Sequence, residues 1–323
     1  MKMNILVTLN SGYIQPLTVM LNSLLSSNSN RDFRVFVAHS SLTREDFRYL
    51  EEHVPMDRCE LVNIQVPHTM FADAPVLERL PKETYYRLFA AQLLPREVNR
   101  VLYLDPDLVV VHSIDQLYRL DFKGNLFAAA SHQFGPMQWL NRTRLQMPEG
   151  SKYINAGVML MNLQLLREVQ DVQAVFDYIR ENREKLYLLD QDILNGMYGG
   201  STLAIDALLY NLDDRYLLNH NLLTRPSRHV DMDWVKENVV IVHYCGKSKP
   251  WKADYKAGWA FSMSVTADAW VRQQCPASPI KRRYRLHKQE EWPKSGVKKA
   301  GELFLQLFSG FQIKKFNLYL LSK

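Results

Sequence analysis

The sequence predicts an α/β fold with a mainly parallel, doubly wound sheet. Three observations predict it. Short apolar runs alternate with helix-length amphipathic segments from the first residues onward. The apolar runs have the length and composition of buried strands. The chain has 323 residues, 47% of them hydrophobic, enough for one large or two ordinary domains with a substantial core.

Residues 5–9 read as a buried strand and 16–26 as a helix, with Pro16 tolerated in its first turn. Residues 33–38 are strand-like, and 43–53 are helix-like with Thr43 as N-cap and Asp46 three residues on. Residues 59–66 form another strand, 81–94 a helix ending before Pro95, and 100–104 a buried strand. Strands at 127–131 and 158–162 follow, then a long helix over 163–186 with a charged outer face. A helix over 190–198 has Asp190 at its cap, and 239–244 is the last apolar strand. Sheets of this kind bind ligands at the carboxyl ends of their strands.

Composition excludes several classes. Gly plus Pro amounts to 27 residues, and Cys59, Cys245 and Cys275 make no pairable pattern, so the chain is not disordered, collagen-like or disulfide-stapled. Sparse thiols suggest a reducing compartment. The first residues lack a signal-peptide pattern, and no apolar stretch reaches the roughly 18 residues of a membrane span, so a cytoplasmic location is expected. The net charge of +6 is uneven: residues 276–323 carry eleven Lys or Arg against three Glu, a net +8, which leaves −2 for residues 1–275. A basic tail on a near-neutral body argues against nucleic acid as a partner. The composition shift at 276–279 divides a body, 1–275, from a basic amphipathic tail, 276–323.

The segment Arg-Val-Leu-Tyr-Leu-Asp-Pro-Asp, residues 100–107, places Asp105 and Asp107 where a hydrophobic strand ends. Residues two apart in extended backbone project to the same side, so both carboxylates can approach one cation, and Pro106 stiffens the spacing. Two hard oxygen ligands suit Mg²⁺ or Mn²⁺. Taken alone, the pair reads equally well as a polar turn closing a strand; its apolar flanks on both sides count against a surface turn. Farther on, a strand delivers His243 at its end, followed by Gly246, Lys249 and Trp251. Gly246 permits close backbone approach, and Lys249 supplies a compact cation suited to phosphate. A lone histidine is more often a satisfied core residue, but this composition is not that of a core.

Five motifs then stand in order: Tyr-Tyr-Arg at 85–87, Asp-Pro-Asp at 105–107, Asn-Ala-Gly at 155–157, Asp-Gln-Asp at 190–192, and His-Tyr-Cys-Gly-Lys-Ser-Lys-Pro-Trp at 243–251. From Asn4 to about Trp251 the chain resembles the retaining glycosyltransferases of family 8, bacterial lipooligosaccharide galactosyl- and glucosyltransferases among them. The resemblance implies the GT-A type fold of nucleotide-diphospho-sugar transferases over 1–275. By similarity, Asp105, Asp107 and His243 coordinate a divalent metal, Mn²⁺ or Mg²⁺, which bridges the diphosphate of a UDP-sugar; Lys249 and the backbone at Gly246 bind the same diphosphate. Arg87, Asn155, Gly157, Asp190 and Gln191 match positions that grip the donor sugar, with Gln191 and Asp190 nearest the reacting carbon. Each has a plainer alternative: Arg87 as a surface helix residue, Asn155 as a turn former, Asp190 as a helix N-cap. The nucleotide loop, Thr8, Asn10 and Tyr13, departs from the family pattern, which has an acidic residue at the position of Asn10 and Asn at that of Gly12. Asn10 retains a carbonyl able to accept the uracil N–H, and Tyr13 offers a stacking surface.

The resemblance implies transfer of a hexose, glucose or galactose, from a UDP-sugar to a glycan or glycolipid, with retention. Gln191 carries an amide, a poor nucleophile, so front-face substitution is expected. Two alternatives stand beside this: a haloacid dehalogenase-like phosphotransferase using Asp105 with Asp213 and Asp214, and a non-catalytic sugar-nucleotide-binding protein. The tail interleaves cations with apolar residues over 280–288 and presents Leu303, Phe304, Leu307, Phe308 and Phe311 at helical spacing. That pattern suits an anionic membrane surface, with the protein peripheral at the inner face; a helix packed on the body or in a dimer is the alternative.

Overall fold

A computed structural model describes residues 2–67, 83–246, 249 and 251. The strands are β1 (Met3–Thr8), β2 (Phe33–His39), β3 (Cys59–Gln65), β4 (Arg100–Leu104), β5 (Leu108–Val110), β6 (Phe127–Ala130), β7 (Val158–Asn162), β8 (Thr202–Ile205) and β9 (Ile241–His243). The helices are α1 (Ile14–Ser27), α2 (Arg44–His53), α3 (Glu83–Tyr86), α4 (Ala90–Leu93), α5 (Asp115–Tyr118), α6 (Gly135–Arg144), α7 (Leu163–Val169) and α8 (Val172–Asn182), then α9 (Asp190–Tyr198), α10 (Ala207–Tyr210), α11 (Asp214–Leu223) and α12 (Met232–Asn238).

Seven strands form the main sheet in the order β3-β2-β1-β4-β7-β6-β8. All neighbours pair in parallel except β7, which runs antiparallel to both β4 and β6. Strand order reverses between β1 and β4, the place where such sheets open a crevice at their carboxyl ends. Period-two alternation gives each face its own core. Ile5, Val7, Val35, Leu102 and Leu160 meet Leu17, Met20, Leu21 and Leu24 of α1 on one face. Leu6, Phe36, Tyr103 and Met159 meet residues of α4, α7, α8 and α9 on the other. The doubly wound sheet expected from the sequence is therefore present.

Three local expectations need correction. The long helix over 163–186 is two helices, because Asp171 leaves helical geometry and its carboxylate accepts the Gln173 amide at 2.8 Å, starting α8 afresh. The helix expected up to residue 94 is interrupted by a 3₁₀ turn, Arg87–Phe89, between α3 and α4. Asp190 does not cap α9; it is the first helical residue, following Leu189 at φ 46°. The Thr43 capping box is as expected: the Asp46 amide donates to Thr43 Oγ1 at 3.2 Å, and the Thr43 amide to Asp46 Oδ2 at 2.8 Å. Helices α6, α11 and α12 are additions to the elements expected from the sequence. The basic tail, 276–323, lies outside the described residues. Among the described residues, no helix is long and apolar enough to cross a membrane.

Candidate active site

Several chain segments meet where the strand order reverses. β1 ends at Thr8 and β4 at Leu104, while β7 begins at Val158. Because β7 is antiparallel to β4, with Leu104 opposite Val158, residues 155–157 arrive at the same edge as Asp105. The Asp105 amide donates to the Gly157 carbonyl at 2.8 Å. β5 leads away from Asp107, and β9 pairs antiparallel with it, setting His243 opposite Leu108.

These pairings bring Asp105, Asp107 and His243 together, with ligand atoms all within 4.8 Å of one another. His243 Nε2 lies 3.2 Å from Asp107 Oδ1 and 3.6 Å from Asp105 Oδ2. Gly157 backs the group: a Cβ there would come 2.8 Å from Asp105 Oδ2. Two hard carboxylates and one imidazole converging on one point fit a divalent ion such as Mn²⁺ or Mg²⁺. Lys249 Nζ reaches Asp107 Oδ2 and donates to the Tyr244 carbonyl at 2.6 Å. Burial works to raise the Asp107 pKa, but the His243 hydrogen bond and charge, with Lys249, hold the carboxyl well below its usual range. Burial equally opposes a charged His243, yet the Asp107 hydrogen bond and both carboxylates raise its pKa.

Arg87 joins this group to the Asp-Gln-Asp segment. Its Nη1 lies 3.0 Å from Asp105 Oδ1 and donates to the Ala156 carbonyl at 3.0 Å. Its Nε donates its single proton to the Thr84 carbonyl at 3.3 Å. That nitrogen also stands 2.9 Å from Asp190 Oδ2, so the Asp190 contact is ionic rather than a hydrogen bond. The guanidinium lies over the Tyr103 ring, 4.5 Å from its centroid. Burial opposes the charge on Arg87, but Asp105 above all, with Asp190, raises its pKa. Burial pushes Asp190 up to about 6, with Arg87 opposing.

Gln191 is held at both ends of its amide. Oε1 accepts the Ala156 amide at 3.2 Å, and Nε2 donates to the Tyr153 hydroxyl at 3.1 Å. Tyr153 donates in turn to Asp192 Oδ1 at 2.5 Å. The fully buried Asp192 takes two 2.8 Å contacts from Arg144 and accepts the amides of Tyr187 and Leu188 at 2.6 and 2.9 Å. This anchor holds the loop before α9 and, through Tyr153, the orientation of Gln191.

Thr8, Asn10 and Tyr13 take different places. Thr8 is buried beneath Asp105: its hydroxyl lies 3.1 Å from that of Tyr103, which donates to Asp105 Oδ1 at 2.6 Å, so Thr8 is the donor to Tyr103. Asn10 Oδ1 accepts the Gly12 amide at 3.1 Å. The Tyr13 ring meets Trp251 edge-on at 6.3 Å. At Gly246 a Cβ would come 3.2 Å from Arg215 Nη2.

Tyr103, Tyr153 and Asn211 take part in the site without having been singled out in the sequence. Tyr103 carried a usable signal, since it precedes Asp105 by two and shares its side of the strand. Asn211 carried none: it is fully buried, and its Oδ1 lies 2.8 Å from His243 Nδ1. A neighbouring cluster of His132, Asp213 and Cys245 is partnered internally. The Cys245 thiol donates to Asp213 Oδ2 at 2.8 Å, and Asp213 Oδ1 caps α11 through the Tyr216 amide at 2.5 Å.

A family model described as Glycosyl transferase family 8 matches residues 4–255. The chain is 24% identical over 271 residues to Glycosyltransferase GlyF of Streptococcus pneumoniae, a match covering 84% of this chain and 61% of that one. It thus spans less than two thirds of that relative's length. It is 24% identical over 264 residues to Lipopolysaccharide 1,2-glucosyltransferase of Escherichia coli, covering 81% and 75% of the two chains. Among solved structures, the galactosyltransferase LgtC in complex with donor and acceptor sugar analogs has a similar fold. The TM-score is 0.69 at 22% identity, over 90% of this chain and 98% of that one.

Proposed function

The chain belongs to glycosyl transferase family 8 and has the GT-A fold, and from that premise we propose that it transfers a hexose, with retention, from a UDP-sugar to a glycan or glycolipid. The observation that carries the reading is the convergence of Asp105, Asp107 and His243 at the reversal of strand order. The Escherichia coli relative is a glucosyltransferase and the solved neighbour a galactosyltransferase, which supports glucose or galactose as the sugar.

Asp105, Asp107 and His243 would hold Mn²⁺ or Mg²⁺. The ion, when bound, offsets the negative charge that grows on the departing diphosphate. Lys249, here paired with Asp107, would exchange that carboxylate for phosphate and add a second positive charge. Arg87 and Asp190 present a buried, mutually neutralised pair beside Asp105, suited to sugar hydroxyls. Tyr13 and Trp251 offer aromatic surface near Lys249 for the base.

Retention through a covalent intermediate needs a carboxylate nucleophile behind the sugar. Gln191 has none, and Asp190 is engaged by Arg87. The acceptor oxygen would therefore bond to the anomeric carbon on the face the diphosphate leaves. The C–O bond to phosphate breaks, and a phosphate oxygen takes the acceptor proton. The phosphotransferase alternative loses Asp213, which caps α11. A non-catalytic role is disfavoured by the presence of the ligand set and Gln191 together. The tail over 280–323 would meet an anionic membrane surface that presents the acceptor.

The test is a panel of UDP-sugars assayed for Mn²⁺-dependent UDP release by the wild type and Asp107→Ala. Release from UDP-glucose or UDP-galactose that Asp107→Ala abolishes is expected. No turnover of any nucleotide sugar, or an unaffected Asp107→Ala, overturns the assignment.

A further inference from the structure

We propose that Asn211 is a positioning residue that, with Asn155, fixes which nitrogen of His243 carries the proton and so presents the Nε2 lone pair to the ion-binding carboxylates. This rests on reading Asp105, Asp107 and His243 as a divalent-ion site.

The backbone first sets the two residues side by side. Asn211 follows α10, the Leu212 amide donates to the Ile241 carbonyl at 3.0 Å, and the His243 amide donates to the Leu212 carbonyl at 2.8 Å. The Asn211 carbonyl also receives Nε2 of His132 at 2.5 Å. Its side chain, fully buried, then bridges Asn155 and His243.

Amide and imidazole groups can each be turned to exchange donor and acceptor, so a contact between two of them does not by itself fix a polarity. Here the polarity is fixed by a group that cannot turn. The Gly157 peptide N–H, which can only donate, points at the Asn155 side chain at 2.9 Å, so the atom facing it is Oδ1. The same oxygen faces Asn211 at 3.0 Å, so Asn211 must offer Nδ2. Its oxygen is then left facing His243 Nδ1 at 2.8 Å, and Nδ1 must carry hydrogen. The Nε2 of a neutral His243 is thereby bare, on the side of Asp105 and Asp107.

Metal-ligating histidines depend on such a partner for tautomer and ring orientation, and its loss typically costs roughly 10–100-fold in metal affinity or activity. Asn155 acquires a role as well. Its oxygen is committed to Gly157 and Asn211, so its amide hydrogens are what it can offer a sugar.

The test uses the full chain. Mn²⁺ binding in the presence of UDP, followed by electron paramagnetic resonance, is expected to weaken roughly 10–100-fold in Asn211→Ala and to vanish in Asp107→Ala. If wild type binds and Asp107→Ala does not, while Asn211→Ala binds as tightly as wild type, the role of Asn211 fails and the ion site stands. If wild type binds no Mn²⁺, the ion site fails and this inference with it. A second measurement needs no Asn211 variant to fold. In the Mg²⁺-loaded wild type with ¹⁵N-labelled histidine, the His243 resonance, identified by its loss in His243→Ala, should show hydrogen on Nδ1 and none on Nε2. The opposite tautomer overturns the proposal.

Discussion

A Cβ on Gly157 would stand 2.1 Å from Cε1 of His243, well inside van der Waals contact. The Asn-Ala-Gly segment thus needs its glycine for space. Gly157→Ala is expected to push His243 out of line with Asp105 and Asp107 while leaving all three ligands chemically intact. Mn²⁺ affinity should fall roughly 10–100-fold, as for loss of a ligand's support. Titration with Mn²⁺ checks this; a variant that binds like wild type contradicts it.

Among the described residues, Arg87 is the cation shared by Asp105 and Asp190, with side chains 10%, 20% and 7% exposed respectively. Arg87→Met keeps the volume and removes the charge, leaving two carboxylates facing each other in the interior. Breaking a buried pair in this way costs about 3–5 kcal/mol. Urea unfolding of the variant at neutral pH should show a loss of that size, and turnover should fall with it.

Asp190 sets a pH dependence. Burial lifts its pKa from the 3.8 of a free carboxyl to about 6, so the folded state holds a proton that the unfolded chain has released between those values. The unfolded state binds fewer protons there, and stability falls as pH rises through that window. Asp190→Asn removes the titration. Its urea midpoint, compared with that of wild type from pH 5 to 7.5, should gain relative to wild type as pH rises, levelling off above about 6.

Asp192 acts in the opposite sense. Burial would raise its pKa, but hydrogen bonds from Arg144 and Tyr153 lower it, so its contribution is present at neutral pH and lost as pH falls through its folded value. Asp192→Asn leaves Arg144 without its charge partner and should cost about 3–5 kcal/mol. The Tyr187 and Leu188 amides can only donate and claim the asparagine oxygen, so Tyr153 then faces an amide nitrogen. Gln191 should thereby lose its fixed orientation, and kcat should drop more than KM rises. Steady-state kinetics at a temperature where the variant is folded checks this.

The basic tail predicts a charge-dependent membrane affinity. Each Lys or Arg near an anionic surface contributes about 1 kcal/mol. Replacing Lys281, Arg282 and Arg283 by Glu should lower partitioning onto anionic vesicles by about two orders of magnitude or more. Flotation with and without anionic lipid measures it, and unchanged flotation would end the membrane reading.

Much of the site was legible because its residues sit in runs with a readable local environment. Asp105 and Asp107 close an apolar strand, and His243 closes another, so periodicity alone put them at strand ends. The Asp190 reading shows the limit. A carboxylate at the start of a helical pattern looks like a cap, and only the turn at Leu189, φ 46°, reveals that its side chain goes to Arg87 instead. Thr8 looked like a nucleotide contact and lies under Asp105, hydrogen-bonded to Tyr103.

The α/β class, the order of most strands along the chain, and Asp105, Asp107 and His243 as candidate ion ligands could be read from the sequence. Those follow from local periodicity and from chemistry carried by single side chains. Only the tertiary structure decided that β7 runs antiparallel, which carries residues 155–157 to the edge where β4 ends. It also decided that Arg87 is shared between two acids, and that a buried Asn211 stands behind His243. Strand direction and side-chain polarity depend on partners far along the chain. Residues 155 and 211, or 107 and 243, become neighbours only when the sheet closes around them.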